Sequence, residues 1–133
     1  MKAVKSHIVR SLPRRAMIDT CDNSGAKVIQ LLSVKTLKTS KGRFPAGGVG
    51  DLITASVIKG NQEMRKTVVQ AIIVRQKKEY RRADGTRIKF EDNAAVVLKD
   101  DKGNPKGTMI KGPVAKEAAE RWPGIAKLAG MVV

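Results

Sequence analysis

Residues 67–100 read TVVQAIIVRQKKEYRRADGTRIKFEDNAAVVLKD. Two apolar runs, 67–76 and 94–100, flank a polar middle. Both runs are short and rich in Val, Ile and Ala, and branching at Cβ suits strands better than helices. Between them, Asp84-Gly85 is a turn signal. Seven residues from Arg75 to Lys89 are Lys or Arg, and only Glu79 and Asp84 oppose them there. The stretch therefore predicts a strand, a basic hairpin and a second strand. A two-residue type I′ turn at Asp84-Gly85 pairs Ala83 with Thr86, Arg82 with Arg87, Tyr80 with Lys89 and Lys78 with Glu91. One face of the ribbon then carries Lys78, Tyr80, Arg82, Arg87 and Lys89. Like charges directly opposite destabilise a ribbon. A string of phosphates turns that repulsion into attraction and releases counterions. A charged ribbon also resists edge-to-edge aggregation, for which Lys serves well. Here four of the seven charges are Arg, which suits bidentate phosphate contact.

The rest of the chain has the same texture. Val and Ile together outnumber Leu. Residues 16–21, 26–37, 51–59 and 108–112 read as further strands, with turns at 22–25, 60–66 and 101–107. Residues 38–50, KTSKGRFPAGGVG, form a glycine-rich basic loop. Residues 1–15 read as a basic arm with a short strand at 6–9. The period changes near the end. Val114, Ala118 and Trp122 fall at helical spacing with Ala115 and Ala119 beside them, so a helix is expected over 113–122. Pro113 suits its first position. Lys116–Glu120 and Glu117–Arg121 read as pairs on its outer face, and Pro123 ends it. A second short helix follows, stopped by Gly130. The expectation is one domain over 1–133: the arm to residue 15, a small β-barrel over 16–112 with its hairpin at 75–90, and a helical segment over 113–133.

Composition narrows the partner. The chain has 133 residues and a net charge of +15, from 27 basic and 12 acidic side chains. Such an excess repels itself, and a polyanion relieves it. Nucleic acid leads over an anionic membrane surface, and no apolar stretch approaches the length of a membrane span. Only 3% of residues are aromatic, namely Phe44, Tyr80, Phe90 and Trp122. Readers of single strands stack bases on several aromatics. A folded RNA or a duplex, bound through shape and backbone, fits this composition better. Phe90 is expected to pack into the barrel and Trp122 onto it.

Enzyme chemistry finds little support. His7 and Cys21 are the only residues of their kinds. They supply neither a zinc ligand set nor a disulfide, and Cys21 reads as a small core residue. The glycines of residues 45–51 match no P-loop or dinucleotide fingerprint. Asp19, Asp22 and Asp51 are better explained as turn and strand-end residues than as a carboxylate site. No cofactor and no metal is expected. The first sixteen residues carry five basic side chains and no acidic one, without the apolar block of a secretory leader.

One spacing is highly specific. Ala71 to Val74, nine residues, Asp84-Gly85, four residues, Phe90, two residues, Asn93, two residues, then Val96-Val97 resembles the signature of the universal L-fourteen family of large-subunit ribosomal proteins. DNSGAK at 22–27 and VGDLI at 49–53 also resemble that family. Fifteen residues precede Ala16, whereas bacterial members begin close to their first strand. That arm and the tail AERWPGIAKLAG are similar to the archaeal and eukaryotic branch. The resemblance implies a cytoplasmic ribosome and a five-stranded barrel with a protruding ribbon. It implies binding to large-subunit rRNA on the face that meets the small subunit, and a bridge to small-subunit rRNA. It further implies contact with ribosomal protein number three, with another neighbouring large-subunit protein, and with an anti-association factor near the C-terminal part. Carried onto this sequence, it marks Arg75, Lys77, Lys78, Arg81, Arg82, Arg87 and Lys89 as rRNA-binding. Lys38, Lys41, Arg43, Lys59, Arg65 and Lys66 form a second candidate set. Asp84, Gly85 and Asn93 are expected to make turns.

Overall fold

The computed structural model describes residues 1–35, 37 and 39–133. In chain order the elements are β1 (Leu12–Pro13), β2 (Met17–Thr20), β3 (Ala26–Val34), β4 (Ala46–Gly47), β5 (Leu52–Gly60), β6 (Val68–Arg75), β7 (Tyr80–Arg81), β8 (Arg87–Ile88), β9 (Ala94–Leu98), β10 (Pro113–Val114), α1 (Lys116–Arg121), α2 (Pro123–Leu128) and β11 (Met131–Val132). Strands β2, β3, β5, β6 and β9 close into a five-stranded barrel, as the family resemblance implies. Neighbours run antiparallel except at the closure, where β2 lies parallel to β9. Register irregularities between β3 and β5 interrupt their ladder, and bulges of this kind increase local twist and help so small a sheet to close.

Two apolar clusters explain the sequence pattern. One draws on all five barrel strands: Ile18, Ile29 and Leu31, Ile53 and Ala55, Ala71 and Ile73, Ala95 and Val97. It fills the barrel interior. The other joins the opposite faces of β6 and β9, through Ile72, Val74, Ala94 and Val96, to Val114, Ala118, Trp122 and Ile125. Strands β6 and β9 are thus covered on both sides, which is why they read as unbroken apolar runs. The outer faces of β2, β3 and β5 meet solvent, and those strands alternate in part.

The helical segment departs from expectation at its start. Pro113 and Val114 form β10, parallel to β11, rather than the first turn of a helix. Val114 accepts a hydrogen bond from the Val133 N–H, and the Pro113 carbonyl accepts one from Arg75. These tertiary partners hold the chain extended until Lys116. Trp122 is extended before Pro123, and Pro123 opens α2. The arm has no strand at 6–9. It lies as a strap: β1 pairs with β4, Leu12 enters the interior cluster, and Ile8 packs on the outer one. Residues 108–112 contribute a single bridge, Ile110 to Asp22, rather than a strand. No helix among the described residues is long and apolar enough to cross a membrane.

Cys21 is buried and its Sγ contacts the Ala95 carbonyl at 3.6 Å. Burial pushes its thiol up to about 11, against the opposing pull of the Arg75 charge. We expect a thiol reagent at pH 8 to leave Cys21 unmodified in the native protein, and to react at the rate of structural opening. Rapid stoichiometric labelling without denaturant would contradict that burial.

Candidate nucleic-acid interface

The ribbon's register differs from expectation by one residue. Tyr80 pairs with Ile88 and Arg81 with Arg87. The loop holds three residues, 83–85, between Arg82 and Thr86. The Arg82 N–H donates to the Thr86 carbonyl at 2.8 Å, and the Gly85 N–H to the Arg82 carbonyl at 2.9 Å. Gly85, at φ 94°, takes the left-handed position that ends such a turn. The Asp84 carboxylate accepts from the Thr86 hydroxyl and N–H, which holds its carboxyl below the usual range.

That shift changes which side chains face out. Tyr80 is buried, and its hydroxyl donates to Glu117 at 2.7 Å. Burial, then the Glu117 carboxylate, push the phenol above its ordinary range. Arg82 turns the same way: its Nε donates to Glu117 Oε1 at 2.7 Å and its Nη2 to the Val133 carbonyl oxygen at 2.6 Å. Glu117, expected on the outer face of α1 beside Arg121, is instead the buried acceptor for the ribbon. Arg121 pairs with Asp51 at 3.3 Å, while the exposed Lys116–Glu120 pair spans 3.9 Å.

Arg75 is only 8% exposed. Its Nε and Nη2 reach Asp92 at 2.9 and 3.2 Å, and its Nη1 reaches the Lys111 and Pro113 carbonyls at 3.1 and 2.8 Å. Arg75 and Arg82 therefore anchor the ribbon to the body. Their charges are answered inside the protein.

The remaining members of the expected set stand outside. Lys77, Lys78, Arg81 and Lys89 are exposed and in no ion pair among the described residues. Arg87 is exposed and pairs with Glu79 at 3.2 Å, a solvated contact of small worth. Lys41, Arg43, Lys59, Arg65 and Lys66 are exposed and outside those ion pairs. Lys38 lies outside the described residues. Strand register separates the second set. Val34 pairs with Ile53 and Arg75 with Ala94, so the loop bearing Lys41 and Arg43 shares the ribbon's end of the barrel. Ala26 pairs with Gly60 at the opposite end, beside Lys59, Arg65 and Lys66. Asp22 and Asp51 are likewise at opposite ends, where they accept the backbone N–H groups of Val97 and Gly48. The three aspartates form no common site.

A residue missed in the sequence organises the ribbon end. Gln76 is fully buried. Its Oε1 accepts from the Val49 N–H at 3.0 Å, and its Nε2 donates to the Val9 and Lys78 carbonyls at 3.2 and 3.0 Å. One side chain thus joins the loop before β5 at Val49, the arm at Val9 and the ribbon root at Lys78. Asn93 assists, accepting from the Lys77 N–H at 2.9 Å. The only sequence signal for Gln76 was an amide closing an apolar run.

Comparison with known proteins gives one consistent result. The profile of the family described as ribosomal protein L14p/L23e matches residues 11–133. Among curated relatives, the large ribosomal subunit protein uL14 of Methanococcus maripaludis is 58% identical over 132 residues, 99% of each chain. The protein of that name from Picrophilus torridus is 55% identical over 133 residues, and that from Nanoarchaeum equitans 53% over 133, each over the full length of both chains.

Proposed function

The chain belongs to the ribosomal protein L14p/L23e family, and on that premise we propose that it is a structural, non-enzymatic component of the large ribosomal subunit that binds large-subunit rRNA through its ribbon end. The observation that carries the reading is a division of labour among the ribbon's cations. Arg75 and Arg82 are neutralised by Asp92 and Glu117. Lys77, Lys78, Arg81 and Lys89 are exposed and have no ion-pair partner among the described residues. Arg87 joins them, because its pairing with Glu79 is solvated and costs little to exchange for phosphate. Lys41 and Arg43 extend the surface along the same end. Lys59, Arg65 and Lys66 form a separate contact at the other end of the barrel.

Family membership supports the wider placement. The ribbon end lies on the face toward the small subunit and bridges to small-subunit rRNA. Ribosomal protein number three and another large-subunit protein are neighbours, and an anti-association factor docks near the C-terminal part.

The test is the salt dependence of binding to large-subunit rRNA. Log affinity should fall linearly with log salt, by about 0.7–0.9 per phosphate neutralised. Replacing Lys77, Lys78, Arg81 and Lys89 together with Ala should flatten that slope by about 3. A slope equal to that of the unaltered protein would remove the ribbon from the interface. A tagged chain should also travel with large subunits in a density gradient.

A further inference from the structure

Phe44 stands apart from the other aromatic residues. Tyr80 and Trp122 are buried and Phe90 is half-buried, whereas Phe44 is 67% exposed. It is nevertheless held. Pairing of β1 with β4 brings the arm against the loop, and the Arg14 N–H donates to the Pro45 carbonyl at 3.1 Å. The Arg14 guanidinium then lies 4.9 Å from the centre of the Phe44 ring. A cavity of about 210 Å³ borders the ring, lined by Arg10, Leu37, Thr39, Ser40, Arg43 and Ala46. Neither residues 1–18 nor residues 35–50 contain a carboxylate. Arg10, Arg14, Arg15, Lys41 and Arg43 are exposed and in no ion pair among the described residues.

We propose that Phe44 is a stacking site for one unpaired nucleobase, with Arg14 bracing one face of the ring and Arg10 and Arg43 taking the flanking phosphates. This rests on the reading of the chain as an rRNA binder and adds what part of the RNA the loop takes. A duplex offers its phosphates but keeps its bases stacked within. Only an unpaired nucleotide presents a base face to an exposed ring while its phosphates reach arginines beside it. The arm and the loop thereby form one composite tip that neither segment makes alone.

The experiment uses the full chain, an eight-residue oligoadenylate and an RNA duplex of equal length. Phe44→Leu should weaken oligoadenylate binding about tenfold, as loss of one base–aromatic stack does. Its salt slope should be unchanged and duplex binding should be equal to that of the unaltered protein. Arg43→Ala should lower the salt slope by about 0.7–0.9. Unaltered oligoadenylate affinity in Phe44→Leu, with salt-dependent RNA binding intact, would overturn the stacking site alone. Equal weakening on both probes would overturn it as well. Absence of salt-dependent binding by the unaltered chain to either probe would instead remove the rRNA reading beneath it. Phe44 is exposed, so far-ultraviolet circular dichroism should show the variant folded.

Discussion

Trp122→Ala should cost about 3–5 kcal/mol of stability, as deletion of a large buried aromatic typically does. Native domains hold only about 5–15 kcal/mol in total, so a large fraction of the folding free energy is at stake. Trp122 is 2% exposed and sits where α1 meets α2, within the apolar layer over β6 and β9. Its Nε1 donates to the Gly50 carbonyl at 2.8 Å, which ties that layer to the loop leading into β5. Gly103 packs so closely that a Cβ built there would fall 2.6 Å from the indole. Truncation leaves a cavity and an orphaned carbonyl together. Trp122→Phe should lose less, because it fills most of the space and forfeits only the N–H. The check is urea unfolding followed by circular dichroism, since Trp122 is the only tryptophan and its fluorescence disappears with it. A midpoint within experimental error of the unaltered protein would show that the helical layer is dispensable.

Glu117→Ala should cost about 3 kcal/mol, the order found when one partner of a buried charged network is removed. Tyr80 loses the acceptor for a buried hydroxyl, and Arg82 loses its counter-charge. Glu117→Gln keeps the shape and one acceptor oxygen, and should cost roughly half as much. The two variants should also differ in the ribbon. Backbone amides of residues 80–88 should exchange faster in Glu117→Ala, while those of β3 and β5 keep their protection. Uniform loss of protection would mean that Glu117 supports the whole barrel rather than the ribbon.

What the sequence revealed follows from what is local. The runs 71–74 and 94–98 announce strands because both of their faces are covered, so no polar position interrupts them. Glycine and asparagine mark the turns because backbone geometry demands them there. The ribbon register was not local in that sense. Asp84-Gly85 serves a two-residue turn and equally a three-residue loop with glycine in the left-handed place, and the difference of one residue reverses the faces. That reversal moved Tyr80 and Arg82 from the expected RNA side to the protein side. Their partner, Glu117, lies on a helix more than thirty residues away. Asp92, Glu117 and Gln76 bear no pattern that distinguishes them from surface residues, because their roles exist only once distant segments meet. Exposed cations such as Lys78 and Lys89 were easier, since an excess of charge must go outward. Which cations are free and which are spent became legible only from their partners.

The parallel junction of β2 with β9 carries a consequence for biosynthesis. It joins segments as far apart as Cys21 and Ala95, 74 positions along the chain. During translation β2 emerges early and pairs with β3, but its other edge has no mate until residue 95 has been made. An open strand edge invites association with a neighbouring nascent chain. The segment leading into β2 answers that hazard, for its five positive charges come without a single acid among the first sixteen residues. Two such nascent chains repel each other while the gap stands open.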